Sequence, residues 1–162
     1  MVIAFIVSVI FAVVLGVGWY LQSTLFFYKN VISFKDSYDL LDLPVITMYA
    51  GKKKLHFLLD TGSSNCILNA KELETMIYEI GETNIPMMGV TGEIRNCGTI
   101  ATTTLSYSGL KFDIEFIATD MTEAFQNIKK ESGVQLHGIL GTDFFTRYKY
   151  ILDFDKLLFY KK

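Results

Sequence analysis

Leu58-Leu59-Asp60-Thr61-Gly62-Ser63-Ser64 sets a carboxylate directly after an apolar run and follows it with a turn former and hydroxyls. A carboxylate at the end of an apolar strand is costly to bury unless hydrogen bonds satisfy it. The N–H of Gly62 and the hydroxyl of Ser63 stand where they can supply those bonds, and glycine lets the backbone turn closely around the charge. An ordinary turn uses the same residue types, so Asp60-Thr61-Gly62 gains its meaning only from a second signal. That signal comes much later in the chain: Gly138-Ile139-Leu140-Gly141-Thr142-Asp143-Phe144-Phe145, then Ile151-Leu152-Asp153-Phe154.

Between and around these segments the chain reads as short strands. Val45 to Tyr49 and Leu55 to Leu59 flank Ala50-Gly51 and three lysines, the pattern of a hairpin whose second strand runs into Asp60. Leu110, Phe112, Ile114 and Phe116 alternate with Lys111, Asp113 and Glu115, so one face of that strand points inward. Ser108-Gly109 joins it to a threonine-rich strand. Tyr150 to Phe154 and Leu157 to Tyr160 form a closing hairpin around Asp155-Lys156. Two helices are expected: Ala70 to Ile80, with Leu73, Met76, Ile77 and Ile80 on one face, and Asp120 to Lys130, with Met121, Phe125 and Ile128 on one face. Asp143 is expected to cap a short helix from Phe144 to Tyr148. These elements describe an all-β domain over residues 43–162, about 120 residues and too small for two lobes.

The first segment has a different character. From Val2 to Leu21 only Ser8, Gly16 and Gly18 interrupt an apolar run, which reaches the roughly 20 residues needed to cross a hydrocarbon core of about 30 Å. Trp19 and Tyr20 stand at its end, where amphipathic rings favour the membrane interface, and Lys29 is the first charged side chain. Residues 1–22 are therefore read as a single-pass transmembrane anchor in a lipid bilayer, and residues 23–42 as a stalk. A cleaved signal peptide lacks its basic start and its small-residue cleavage site here. Positive charge lies on the C-terminal side of the run (Lys29, Lys35, then Lys52 to Lys54), which favours the cytoplasmic side for the domain.

Asp-Thr-Gly-Ser-Ser after two hydrophobic residues, followed later by Ile139-Leu140-Gly141 and a short helix, resembles the retropepsin family of single-domain aspartic proteases, above all its bacterial membrane-anchored relatives. The resemblance covers about Leu43 to Tyr160. It implies a small β-barrel of the acid-protease fold, in which Leu140 and Gly141 cross beneath the Asp60 loop in a ψ shape. It implies Asp60, Thr61 and Gly62 as catalytic residues, with Ser63 supporting, and Gly89-Val90-Thr91-Gly92 as the substrate flap. It also implies a homodimer: the triplet occurs once, Asp143 and Asp153 lack the following Thr-Gly, and the second carboxylate then comes from another copy. Retroviral members carry an arginine after the ψ-loop glycine, paired with an aspartate soon after the triplet. Here Thr142 stands in that place, and no acid lies between Gly62 and Glu72. Thr61 is expected to bond to the partner chain.

Other chemistries find little support. With 51% apolar and 20% charged residues and a net charge of -2, the chain is a folded protein without the basic surplus that nucleic acid needs. His56 and His137, the only histidines, lie apart from any metal-ligand spacing, so neither a metal nor a cofactor is expected. Cys66 and Cys97 form no disulfide framework, although a single bridge between them fits the sequence. No Gly-x-Ser-x-Gly elbow accompanies Ser63 and Ser64. The expected function is a membrane-anchored aspartic endopeptidase acting on extended peptides. The second reading is a membrane-tethered binding or sensing module that keeps the fold without catalysis.

Overall fold

The structure, a computed structural model, describes residues 10–22, 30–88 and 94–161. The chain divides into two compact units, Met1–Val31 and Ile32–Lys162. In the first, residues 10–22 form a helix (α1) along which every residue is exposed, apolar ones included. At 1.5 Å per residue that helix is about 20 Å long. Among the described residues no helix is long and apolar enough to cross a membrane. Residues 1–9, nearly half of the expected anchor, lie outside the described residues.

Among the described residues the second unit holds ten strands: β1 (Val31–Ser33, shared with the boundary), β2 (Val45–Ala50), β3 (Lys53–Leu59), β4 (Ile67–Asn69), β5 (Glu79–Met88), β6 (Ile94–Tyr107), β7 (Leu110–Thr119), β8 (Gly138–Leu140), β9 (Tyr150–Asp153) and β10 (Leu158–Lys161). Its helices are α2 (Lys35–Leu41), α3 (Thr122–Ser132) and α4 (Thr142–Tyr148). Seven strands form one sheet in the order β2-β3-β8-β4-β7-β6-β5. Tyr49 of β2 also pairs with Ser106 of β6, whose hydroxyl donates to the Tyr49 carbonyl at 3.3 Å, and this pairing curls the sheet into a small barrel. A second sheet runs β1-β10-β9.

The expected hairpins are present. β2 and β3 pair antiparallel from Val45↔Leu58 to Ala50↔Lys53, and β6 and β7 from Thr99↔Ala118 to Tyr107↔Leu110. On β7, Phe112, Ile114 and Phe116 are buried and the charged residues between them exposed, as the alternation requires. Together with Met48, Leu55, Phe57, Leu68, Leu105, Leu140, Phe144 and Phe159 they fill the barrel. Phe57 and Phe116 stack at 5.7 Å between ring centres. A smaller cluster of Val45, Leu136 and Phe125 seats α3, whose apolar stripe is the expected one.

Two expectations change. Ala70 to Ile80 is not a helix: a 3-10 turn covers Ala70–Thr75, and the chain then enters β5. Leu73 and Met76 pack on the core, but Ile77 and Ile80 face solvent, because pairing of β5 with β6 overrides the local helical period. The stretch 23–42 also divides. Residues 23–29 lie outside the described residues, whereas Ile32 and Phe34 are buried in the domain core. The Ser37 hydroxyl on α2 accepts from Val45 N–H at 3.0 Å, tying this helix to β2.

Candidate active site

Asp60 sits immediately after β3 and Cys66 immediately before β4, so the loop between them leaves one sheet position and returns to another. β8 fills the gap. It runs parallel to β3 (Phe57↔Gly138, Leu58↔Ile139, Leu59↔Leu140) and antiparallel to β4 (Ile67↔Ile139, Leu68↔Gly138). The result is the ψ-shaped crossing beneath the Asp60 loop. Asp60 N–H donates to the Leu140 carbonyl at 3.1 Å, and Thr142 N–H donates to the Ser63 carbonyl at 2.9 Å. Glycine is required at both ends of β8 by space alone. A Cβ at Gly138 would lie 2.5 Å from the Ile67 carbonyl oxygen, and one at Gly141 would lie 2.5 Å from the Asn65 carbonyl oxygen.

Around the carboxylate, Gly62 N–H donates to Asp60 Oδ1 at 2.8 Å, the bond expected of it. Ser63 does not serve Asp60. Its hydroxyl donates to the Asn65 carbonyl at 2.7 Å, because the turn brings that carbonyl back over the serine. Asp60 is half-buried, while Thr61, Gly62, Ser64 and Asn65 are exposed in the single chain. Leu140 is fully buried below them.

A groove of about 400 Å³ opens beside Asp60, walled by Ile67, Ile117, Ile139, Pro86, Met87 and Met88. Three of these form a row across adjacent strands, since Ile67 pairs with both Ile117 and Ile139. No local sequence signal marks that row, which exists only once the strands are in register. Residues 89–92, expected as the flap, lie outside the described residues. The β5–β6 arm that leads to them is described as far as the Met88↔Ile94 pair, and it brings Pro86, Met87 and Met88 to the groove.

Asp143 is not the cap expected of it, because α4 already begins at Thr142 and Asp143 is its second residue. Gly141 occupies the N-cap of α4, and the Asp143 carboxylate accepts from Phe144 N–H at 2.7 Å and reaches across to Cys66 N–H at 2.9 Å. Cys66 is a free, buried thiol, and burial together with its hydrogen bond to Asp143 pushes its pKa far up. At the start of the β3–β8 pairing, His137 Nδ1 accepts from the His56 backbone N–H at 3.0 Å, so that nitrogen carries no proton in this arrangement. Burial lowers the pKa of both histidines.

Residues 45–144, well over half of the 162-residue chain, match the sequence model of a family described as aspartyl protease. The chain belongs to the aspartyl protease family. With one lobe, one Asp-Thr-Gly and one ψ crossing, this aspartyl protease has the retropepsin-like architecture that its motifs imply, and it is an aspartic endopeptidase. Among solved structures it is similar to the EIAV protease complexed with the inhibitor HBY-793, at 19% identity over 68% of this chain and 91% of that one, with a TM-score of 0.48. It is also similar to the retroviral protease-like domain of Ddi1 from Leishmania major (16% identity, 70% and 82% of the two chains, TM-score 0.48). A third is a retropepsin-like aspartic protease from Rickettsia conorii (19%, 72% and 81%, TM-score 0.46). A comparison with curated proteins gave no match.

Proposed function

We propose that two copies of this aspartyl protease pair about a two-fold axis and place their Asp60 carboxylates around one water, which attacks a peptide bond. The observation that carries this reading is a single Asp60 carboxylate, held by Gly62 N–H at the edge of an apolar groove and left half-exposed by its own chain. Two like charges at hydrogen-bonding distance are costly, so the pair keeps one proton between them. One carboxylate then takes a proton from the water as general base, and the other gives its proton to the carbonyl oxygen as general acid. Titration belongs to the pair. Thr61, exposed at the loop tip, reaches the partner chain, and Leu140 and Gly141 form the floor that keeps Asp60 in place.

The substrate is an extended peptide whose backbone pairs like an added strand beneath a flap at residues 89–92. The N-terminal helix anchors each copy in a lipid bilayer, with the protease domain on the cytoplasmic side. Support comes from α1, whose apolar residues Ile10, Phe11, Val13, Val14 and Leu15 are all exposed to whatever surrounds them. Anchoring both copies in one membrane raises their effective concentration for pairing.

The test is to express the full chain in membranes, with and without Asp60→Asn, and to follow cleavage of a mixed peptide library from acid to neutral pH with crosslinking of the same samples. Cleavage by a crosslinked dimer that disappears with Asp60→Asn supports the reading. A verified dimer that cuts nothing at any pH contradicts it.

A further inference from the structure

The Asp60 loop is held from outside by the first two residues of α4. Thr142 takes its near half, through N–H to the Ser63 carbonyl at 2.9 Å and a hydroxyl 3.3 Å from the same oxygen. Asp143 takes its far end. Oδ2 accepts from Cys66 N–H at 2.9 Å, while Oδ1 accepts from the Cys66 thiol at 3.1 Å and from Phe144 N–H at 2.7 Å. Three donors therefore converge on one carboxylate, which is acceptor-only and has about four lone-pair sites to serve them. Cys66 is 1% exposed and its thiol pKa is raised, which keeps it protonated and donating.

The two holds differ in what sustains them. Thr142 N–H is a backbone donor that no side chain supplies, whereas the Cys66 end depends on the Asp143 side chain. An amide at position 143 has a single acceptor oxygen. It would turn its NH₂ group toward either Cys66 N–H or Phe144 N–H, donor against donor. Asp143 lies two residues beyond Gly141, the glycine packed against the Asn65 carbonyl, so its carboxylate starts from a backbone fixed by close contact.

We infer that Asp143 is a positioning residue, which fixes the Cys66 end of the Asp60 loop and through it the direction in which Asp60 meets its counterpart. The inference rests on the proposed Asp60 dyad for its catalytic consequence, but the clamp itself lies within one chain. Each copy thus shapes its own loop before pairing. The position after the ψ-loop glycine, Thr142, offers no cation for this purpose.

The experiment compares the full-length chain with Asp143→Asn, Asp143→Ser and Cys66→Ala by hydrogen exchange and by kinetics normalised to titrated active sites. Asp143→Asn, or Asp143→Ser should the first variant not fold, is expected to speed exchange in the peptide covering residues 60–66 by about tenfold or more. Peptides from β6 and β7 keep their protection. A displaced loop is expected to lower kcat per active site by about ten- to a hundredfold while KM stays within about twofold. Cys66→Ala removes the thiol donor, keeps the backbone bond and retains most of the activity. Unchanged exchange in residues 60–66 overturns the inference whatever the activity, as does a released loop with unchanged kcat per active site. If the wild-type chain cuts nothing while Asp143→Asn still releases the loop, the clamp stands and the dyad falls.

Discussion

The ψ crossing and the β5–β6 arm both border the groove beside Asp60, yet they are built in opposite ways. At the crossing, β8 is bonded on both edges, Leu140 is fully buried, and Gly138 and Gly141 leave no room for even a methyl group. Along the arm, β5 is the last strand of its sheet and is exposed over most of its length. Its register shifts three times between Ile80 and Pro86, and Asn84 has a φ of 60°. Bulges and irregular pairing at a sheet edge re-aim side chains and discourage further pairing. The contrast assigns rigidity to the side that must aim a carboxylate and adaptability to the side that must admit a chain.

Substitutions at the two places should separate by size. Leu140→Ala leaves a cavity beneath Asp60 and should cost about 2–5 kcal/mol, measured by chemical denaturation. A result below about 1 kcal/mol would show that the floor of the site collapses freely and would erase the contrast. Gly141→Ala drives a Cβ toward the Asn65 carbonyl and should cost about 1–3 kcal/mol, with a loss of activity beyond what the folded fraction explains.

The next effect depends on pH. Because burial lowers the pKa of His137, the unfolded chain binds protons more readily than the folded one just below the ordinary histidine value. The stability that this histidine contributes is therefore full above about pH 6.5 and is lost as the pH falls through that value toward its lowered folded pKa. Protonated Nδ1 would no longer accept from His56 N–H beside the strand that carries Asp60. The groups around the pair that modulate this are Thr47, Lys53, Lys54 and Glu72. Thermal denaturation from pH 8 to pH 5 should show a decline that His137→Asn flattens, and an equal decline in both would place its cause elsewhere. The smallest effect belongs to the start of the arm. Ile80→Ser on β5 and Ile77→Ser just before it, both on exposed side chains, should change stability by no more than about 0.5 kcal/mol.

The same contrast explains what could be read from the sequence. The hairpins, the inward face of β7, the α3 stripe and the pairing of the Asp60 segment with Gly138-Ile139-Leu140-Gly141 were legible, because each rests on a local period or a motif. Leu73 to Ile80 was not. Its apolar spacing fits a helix, but Leu73 and Met76 reach the core from a 3-10 turn, and a hydrogen bond of 2.7 Å from the Thr103 hydroxyl to the Ile77 carbonyl draws the following residues to the sheet. Ser63 stands beside Asp60 in sequence and carries a suitable donor, but the turn gives its hydroxyl to the Asn65 carbonyl instead. The tie between Asp143 and Cys66 joins residues remote in sequence, as does the isoleucine row of the groove, and neither leaves a local trace.

The most direct test of the paired-carboxylate mechanism is to co-express wild-type and Asp60→Asn chains in one membrane at varied ratios and measure peptide cleavage against the wild-type fraction. If each active centre needs an Asp60 from both copies, random pairing makes activity follow the square of that fraction, about one quarter at equal amounts. Activity that falls in direct proportion, to about one half, would mean that each copy acts by itself, and activity near about three quarters that one Asp60 per pair suffices; either would contradict the account.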